Sequence, residues 1–298
     1  MIKMNLKKVI LATRPWSFPA SVMPVLIGLA YVYFQHSVTG VPVKWWALPL
    51  VLFSAIAFHA AGNMISDYHD AKTGVDKLES FGDTNMMLNK TFSEKAFLSL
   101  GLVWLSLAIL SGNCLMWFSS WKLLFFGLFG MACTFLYYKM KYSGWGDVVI
   151  FFAFGFAIVN GTVFALSGIL NIQSICISIP VSLLTTAILH ANNTRDVPLD
   201  KEAGIKTFSM ILGLRRAKIY YILLVLGAYV LEMVMIGMGF LPVWLLLVVI
   251  SLPLALKNIH LIRRIRHESL EEMAHLDVST AQLTTAFSIL AIIGFILA

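Results

Sequence analysis

"HANNTRDVPLDKEAGIKT", residues 190–207, sets Asn192, Asn193, Arg195, Asp196, Asp200, Lys201, Glu202 and Lys206 directly behind an apolar run. The cluster is foreign to its surroundings. The 298-residue chain is 59% hydrophobic and 12% charged, with a mean hydropathy of +0.84. Soluble domains carry about 25% charged residues, so this chain lacks the polar surface to cover a water-exposed globule. The stretch therefore reads as a break between membrane spans, and the fold follows from finding the other breaks.

Crossing a bilayer takes about 17–25 mostly apolar residues. Nine runs suit that length: about 16–35, 45–66, 96–117, 122–138, 148–170, 173–191, 218–238, 241–257 and 278–297. With the N-terminus in the cytoplasm, all but Lys44 and Lys122 of the 22 Lys and Arg fall on the cytoplasmic side. A wrong number of spans would scramble that bias, because every later loop would change sides. The chain is thus expected to be an all-α polytopic protein of the cytoplasmic (inner) membrane, with nine transmembrane helices around a central cavity.

The net charge of +7 follows from this orientation and from attraction to anionic lipid. No basic face interleaved with aromatics is present, so nucleic acid is not expected as a partner, and no obligate protein partner is implied. The apolar run after Lys3, Lys7 and Lys8 is too long for a signal peptide and lacks a small-residue cleavage site; it reads as a retained first helix. Cys114, Cys133 and Cys176 lie scattered without metal-ligand spacing and read as packing residues.

The outer loops are short, whereas the cytoplasmic segments 67–95 and 192–217 hold most of the 15 acidic residues. Long loops in a compact protein are usually functional or disordered, and neither segment is of low complexity. They also resemble one another. "NMISDYHDAKTGVDK" (63–77) and "NNTRDVPLDKEAGIK" (192–206) each open with Asn four residues before an Asp, add a second Asp and a Gly, and end in Lys. This suggests one domain built from two related halves, about 1–140 and 141–298.

On a helix, at about 100° per residue, Asn63, Asp67 and Asp70 lie within about 60° of one another, and Asn192, Asp196 and Asp200 within about 80°. Each segment thus presents an acidic stripe on the same membrane side. Facing carboxylates repel unless cations sit between them, and a few hard oxygen ligands suit Mg²⁺ bound to phosphates. Lys72, Lys139, Lys141, Arg195, Lys201 and Lys206 are interleaved, which suits a diphosphate held partly through metal and partly directly. At the mouth of an apolar bundle such a ligand is expected to be an amphiphile with its tail among the helices.

Other charges read differently. Glu79, Lys90, Glu94, Lys201 and Glu202 are expected to be solvated surface charge, and His59 and His190 to be hydrogen-bonded structural histidines. Glu232 is the acid well inside a span, which flags function by default. "HLIRRIRHESLEEM" (260–273) reads as an interfacial amphipathic segment.

Four stretches, "RPWSFPASVMPVLIG" (14–28), "SDYHDAKTGVD" (66–76), "KYSGWGD" (141–147) and "NNTRDVPLDKEAGIKT" (192–207), resemble those of the UbiA superfamily of intramembrane prenyltransferases, most closely its 1,4-dihydroxy-2-naphthoate branch in menaquinone biosynthesis. The resemblance implies that Mg²⁺ bridges Asp67, Asp70, Asp196 and Asp200 to the diphosphate of a polyprenyl donor. It implies that Asp76 supports the metal shell or the acceptor, and that Lys141 and Arg195 neutralise the leaving diphosphate. Asn63, Ser66, Asn193 and Lys206 complete the expected diphosphate and acceptor contacts. Two positions depart from the family pattern. Ser66 stands where Asn is usual, with Asn63 one turn earlier, and 80–93 lacks the customary Arg, with Asn85 near its place. Other acceptors remain open: 4-hydroxybenzoate, a porphyrin-type ring or glycerol phosphate. A secondary transporter is the remote alternative, although transporter sites sit near the midplane on broken helices, not at helix ends.

Overall fold

The computed structural model describes residues 6–74, 86–87, 90–266 and 272–298. Among these, nine helices are long and apolar enough to cross a membrane: α1 (Pro15–Thr39), α2 (Trp45–Thr73), α3 (Glu94–Phe118), α4 (Trp121–Tyr142), α5 (Gly146–Ser167), α6 (Ile172–Arg195), α7 (Leu214–Gly237), α8 (Val243–Arg264) and α9 (Leu276–Leu297). Short helices Leu6–Ala12 and Val197–Glu202 add to these. The expected spans are all found, and the described residues contain no strand.

Helix ends differ from expectation where the polar residues begin. The second helix does not stop at residue 66. It runs on to Thr73 and closes on Gly74, whose left-handed φ of 75° lets its N–H reach the Asp70 carbonyl. The sixth likewise continues to Arg195. The buried charges in both extensions have partners from elsewhere in the chain, Asp67 on Arg14 and Asp70 on Lys141 in the first and Arg195 on Asp277 in the second, so their burial leaves no lone charge.

The helices alternate in direction, so α2, α4, α6 and α8 end where α1, α3, α5, α7 and α9 begin. Seven exposed tryptophans mark the two ends: Trp16 and Trp145 at this one, Trp45, Trp46, Trp117, Trp121 and Trp244 at the other. Such girdles are what bilayer interfaces favour. Lys44, one of the two bases at the far end, donates to the Ser119 carbonyl (2.9 Å) and so caps α3.

Helix α6 is the centre of the bundle, with 56% of its apolar window buried against 11% for α4. One core cluster joins α1, α5 and α6 around Val25, Tyr31, Val159, Leu166 and Val181; another joins α6 through α9 around Leu184, Tyr221, Val225, Leu283 and Phe287. At the α5–α6 crossing a Cβ on Gly155 would lie 1.9 Å from Ser182 Oγ and 2.3 Å from its Cα, so only glycine permits this approach. The crossing lies in a π-helical stretch, Phe151–Ala157, a geometry often found beside functional sites.

Candidate active site

The end shared by Pro15, Thr73, Tyr142, Gly146, Arg195 and Leu276 gathers the polar residues singled out above. Some of them line the mouth of a cavity of about 590 Å³. Arg14, Asn63, Ser66, Asp67, Asp70, Lys141, Asn192 and Asp277 line it where it is polar; Phe58, Phe126, Phe129, Tyr137 and Phe154 line it deeper in. A second, smaller apolar pocket shares Ala55, Phe58, Phe126, Ala157 and Ile158 with the first and continues it towards Leu115 and Leu123.

Each buried carboxylate of the first segment is held by a base or a hydroxyl. Asp67, 3% exposed, takes Arg14 Nη2 at 2.8 Å. Asp70, 4% exposed, takes Lys141 Nζ at 3.3 Å, Ser66 Oγ at 3.4 Å and the Tyr142 hydroxyl. A buried carboxylate without such partners would cost several kcal/mol, roughly, after relaxation. Arg14 reaches Asp67 from a left-handed backbone, φ 56°, a strained conformation for a non-glycine residue of the kind that clusters at functional sites.

The second segment is built differently. Arg195 is buried and pairs with Asp196 through two nitrogens, Nε to Oδ1 at 2.7 Å and Nη2 to Oδ2 at 3.0 Å. Burial raises Asp196 above the usual carboxylate range, opposed by Arg195. Asp200 sits on the Val197–Glu202 turn with its Oδ2 buried and without a hydrogen-bond partner. Burial pushes its carboxyl up to about 7, with Lys141 pulling the other way. An orphaned carboxylate oxygen at this place fits a cation.

Several expectations are placed elsewhere. Asn193 is buried behind the cavity, its Nδ2 donating to Asp147 Oδ1 at 3.5 Å. Lys206 is exposed and meets the site only through its backbone N–H, bonded to the Tyr142 carbonyl at 3.1 Å. Arg195 turns its guanidinium to carboxylates and does not line the cavity. Lys72 pairs with Glu94 at 3.7 Å, away from the mouth. Asp76 and Asn85 lie outside the described residues. Among the described residues no three Asp, Glu, His or Cys side chains come together closely enough to hold a metal ion by themselves. Asp67 and Asp70 line the mouth from α2, whereas Asp196 and Asp200, at the end of α6 and on the turn after it, do not line the cavity, although Asp200 lies near enough to Lys141 and Asp70 to feel their charge.

Both histidines are hydrogen-bonded as expected, and His59 also lines the cavity. His59 lies between Ser17 Oγ (3.1 Å) and Ser21 Oγ (3.0 Å). His190 faces Asp147 Oδ2 (2.7 Å) and donates to the Ala217 carbonyl (3.0 Å). Glu232 is buried in α7, away from the cavity lining. The residues missed in sequence are Arg14, Tyr142 and Asp277. Arg14 and Asp277 stand at the openings of spans on the same membrane side as the acidic segments, which is the signal that could have found them.

An acid- and base-lined mouth above an aromatic cavity is set among nine membrane-spanning helices of the described residues, the layout of an intramembrane enzyme. The chain belongs to the UbiA prenyltransferase family, whose profile matches residues 21–280; it is an integral membrane prenyltransferase, which removes the transporter alternative. It is 31% identical over 290 residues to the 1,4-dihydroxy-2-naphthoate octaprenyltransferase of Bacillus subtilis (strain 168), covering 96% of this chain and 91% of that protein. It is also 31% identical over 297 residues to the human UbiA prenyltransferase domain-containing protein 1, covering 97% and 83%. In fold it is similar to a UbiA homolog from Archaeoglobus fulgidus bound to GPP and Mg²⁺ (TM-score 0.65, 16% identity, 96% of this chain and 99% of that one). The apo UbiA homolog from Aeropyrum pernix K1 is equally similar (TM-score 0.65, 15% identity, 99% and 98%).

Proposed function

We propose that the protein transfers a polyprenyl group from a polyprenyl diphosphate to 1,4-dihydroxy-2-naphthoate, with Mg²⁺, in menaquinone biosynthesis. The observation that carries this reading is the juxtaposition of Asp67, Asp70 and Lys141 with the aromatic depth of one cavity. The diphosphate belongs at the mouth and the polyprenyl tail among Phe58, Phe126, Phe129 and Phe154. The residues that would hold Mg²⁺ are Asp67, Asp70, Asp196 and Asp200, and Asp200's orphaned oxygen fits that role. Because Mg²⁺ prefers to share its shell with substrate phosphates, the two acidic pairs would need no closed protein cage. When bound, the metal neutralises charge on the leaving diphosphate.

The chain's own residues supply the rest. Lys141, next to Asp70, is placed to offset charge as the donor C–O bond breaks. The aromatic wall keeps water from the allylic cation and faces it with π-systems. The ring carbon of the acceptor then forms the new C–C bond, and its carboxylate leaves as CO₂, returning its electron pair to the ring. The naphthoate acceptor is supported by the "NNTRDVPLDKEAGIKT" stretch and by the name of the Bacillus relative. The Lys and Arg distribution supports a cytoplasmic mouth in the inner membrane, and the matched acidic segments support two related halves.

The test is incubation of membranes containing the protein with Mg²⁺, a labelled polyprenyl diphosphate and a panel of acceptors, followed by mass identification of the lipid product. A decarboxylated prenyl naphthoquinol is expected. Product with 4-hydroxybenzoate alone overturns the acceptor, and no product with any acceptor overturns the reading.

A further inference from the structure

Arg195 spends every donor of its guanidinium on protein groups. Nε and Nη2 serve Asp196 (2.7 and 3.0 Å), Nη2 also serves the Asn192 side-chain oxygen, and Nη1 serves Asp277 Oδ2 (2.9 Å) and the Ala274 carbonyl (3.4 Å). The residue is 5% exposed. A buried guanidinium that loses its counter-ion is an uncompensated charge, among the most destabilising changes a fold can suffer.

This sets up a conflict. On the reading proposed above, on which this inference rests, Asp196 must give its oxygens to a cation-bearing diphosphate and so release Arg195. Asp277 removes the conflict. It lies 82 residues away in sequence, lines the cavity at the first turn of α9, and holds Arg195 through the nitrogen that Asp196 does not use. We propose that Asp277 is a positioning residue that retains Arg195 while Asp196 exchanges partners. One guanidinium between two carboxylates stays neutralised in both states, so Asp196 can capture and release its ligand without stranding a buried charge. Asp277 also accepts the Val278 N–H through Oδ1 at 2.8 Å, so a purely structural role at the start of α9 is the competing explanation.

The two explanations separate in a binding measurement on the full chain in detergent, by following the thermal midpoint against Mg²⁺ plus inorganic diphosphate. The wild type should be stabilised in a saturable manner. Asp277→Asn should need at least about tenfold more Mg²⁺ and diphosphate for half of that effect, as expected when a buried charge loses its compensation. Asp277→Ser keeps an acceptor for the helix start and should behave the same, while Asp277→Glu should restore most of the affinity. In an Arg195→Gln background Asp277→Asn should cause no further loss, because no guanidinium remains to be held. A lowered midpoint in Asp277→Asn and Asp277→Ser with unchanged half-saturation overturns this inference alone. A wild type that shows no stabilisation overturns the diphosphate reading and this inference with it.

Discussion

Lys141 Nζ lies 3.3 Å from Asp70 Oδ2, while the neighbouring Tyr142 hydroxyl donates to the other oxygen of the same carboxylate. The end of α4 therefore grips the first acidic segment on α2 across 71 residues of chain, leaving a lysine 13% exposed at the cavity mouth. This pair joins the two motifs that the sequence presents separately.

Removing the lysine charge should impair use of the donor. Lys141→Ala is expected to lower kcat/KM for the polyprenyl diphosphate by about 10²-fold, the usual scale for one lost charge-stabilising group, and to leave the acceptor KM nearly unchanged. Steady-state kinetics with each substrate varied in turn checks this; an equal effect on both substrates, or none, contradicts the assignment.

Asp200 predicts a pH dependence of metal binding. Its carboxyl is pushed up to about 7 by burial, so in the metal-free protein it is protonated below that pH. A cation takes only the carboxylate, so binding must expel a proton, and apparent Mg²⁺ affinity should rise up to about tenfold per pH unit below 7 and level off above it. The same raised pKa favours the fold while the group is protonated; metal-free stability should fall as pH rises from about 4 through 7. Mg²⁺ titrations at pH 6 and 8 test the sign, and Asp200→Asn should flatten the dependence.

Gly155 predicts a packing limit. A methyl there would overlap Ser182 of α6, and overpacking of this kind costs about 1–3 kcal/mol. Gly155→Ala should lower the thermal midpoint measurably, and because α5 and α6 carry Asp147, His190 and the second acidic segment, activity should fall with it. A neutral substitution would mean that the two helices are free to separate.

The nine spans are legible in the sequence because length and hydropathy suffice to define them, and the two acidic segments because their spacing puts them on helix faces. What is not legible is where the helices end and what holds the acids. Asp67 and Asp70 read as a solvent-facing acidic stripe beyond the span until Arg14, Lys141 and Tyr142 are seen to offset their burial inside one unbroken helix. Arg195 reads as a ligand for diphosphate until Asp196 and Asp277 are seen on either side of it. Partnerships between residues this far apart in sequence depend on helix packing, which no local pattern encodes.

The orientation has its own test. Lys206 is exposed at the mouth end, so a cysteine there, in a background lacking Cys114, Cys133 and Cys176, should react with an impermeant reagent from the cytoplasmic side only. Labelling from the opposite side would invert the topology.

On the proposed function the two acidic segments form one metal-dependent site. Its most direct test is product formation by Asp67→Asn and Asp196→Asn in reconstituted vesicles, at a series of Mg²⁺ concentrations, alongside the wild type. Each substitution is expected to abolish prenyl transfer at every Mg²⁺ concentration while the variant still folds, shown by a cooperative thermal transition whose midpoint is lowered by the lost ion pair. Full activity in either variant with an unchanged Mg²⁺ requirement would contradict it.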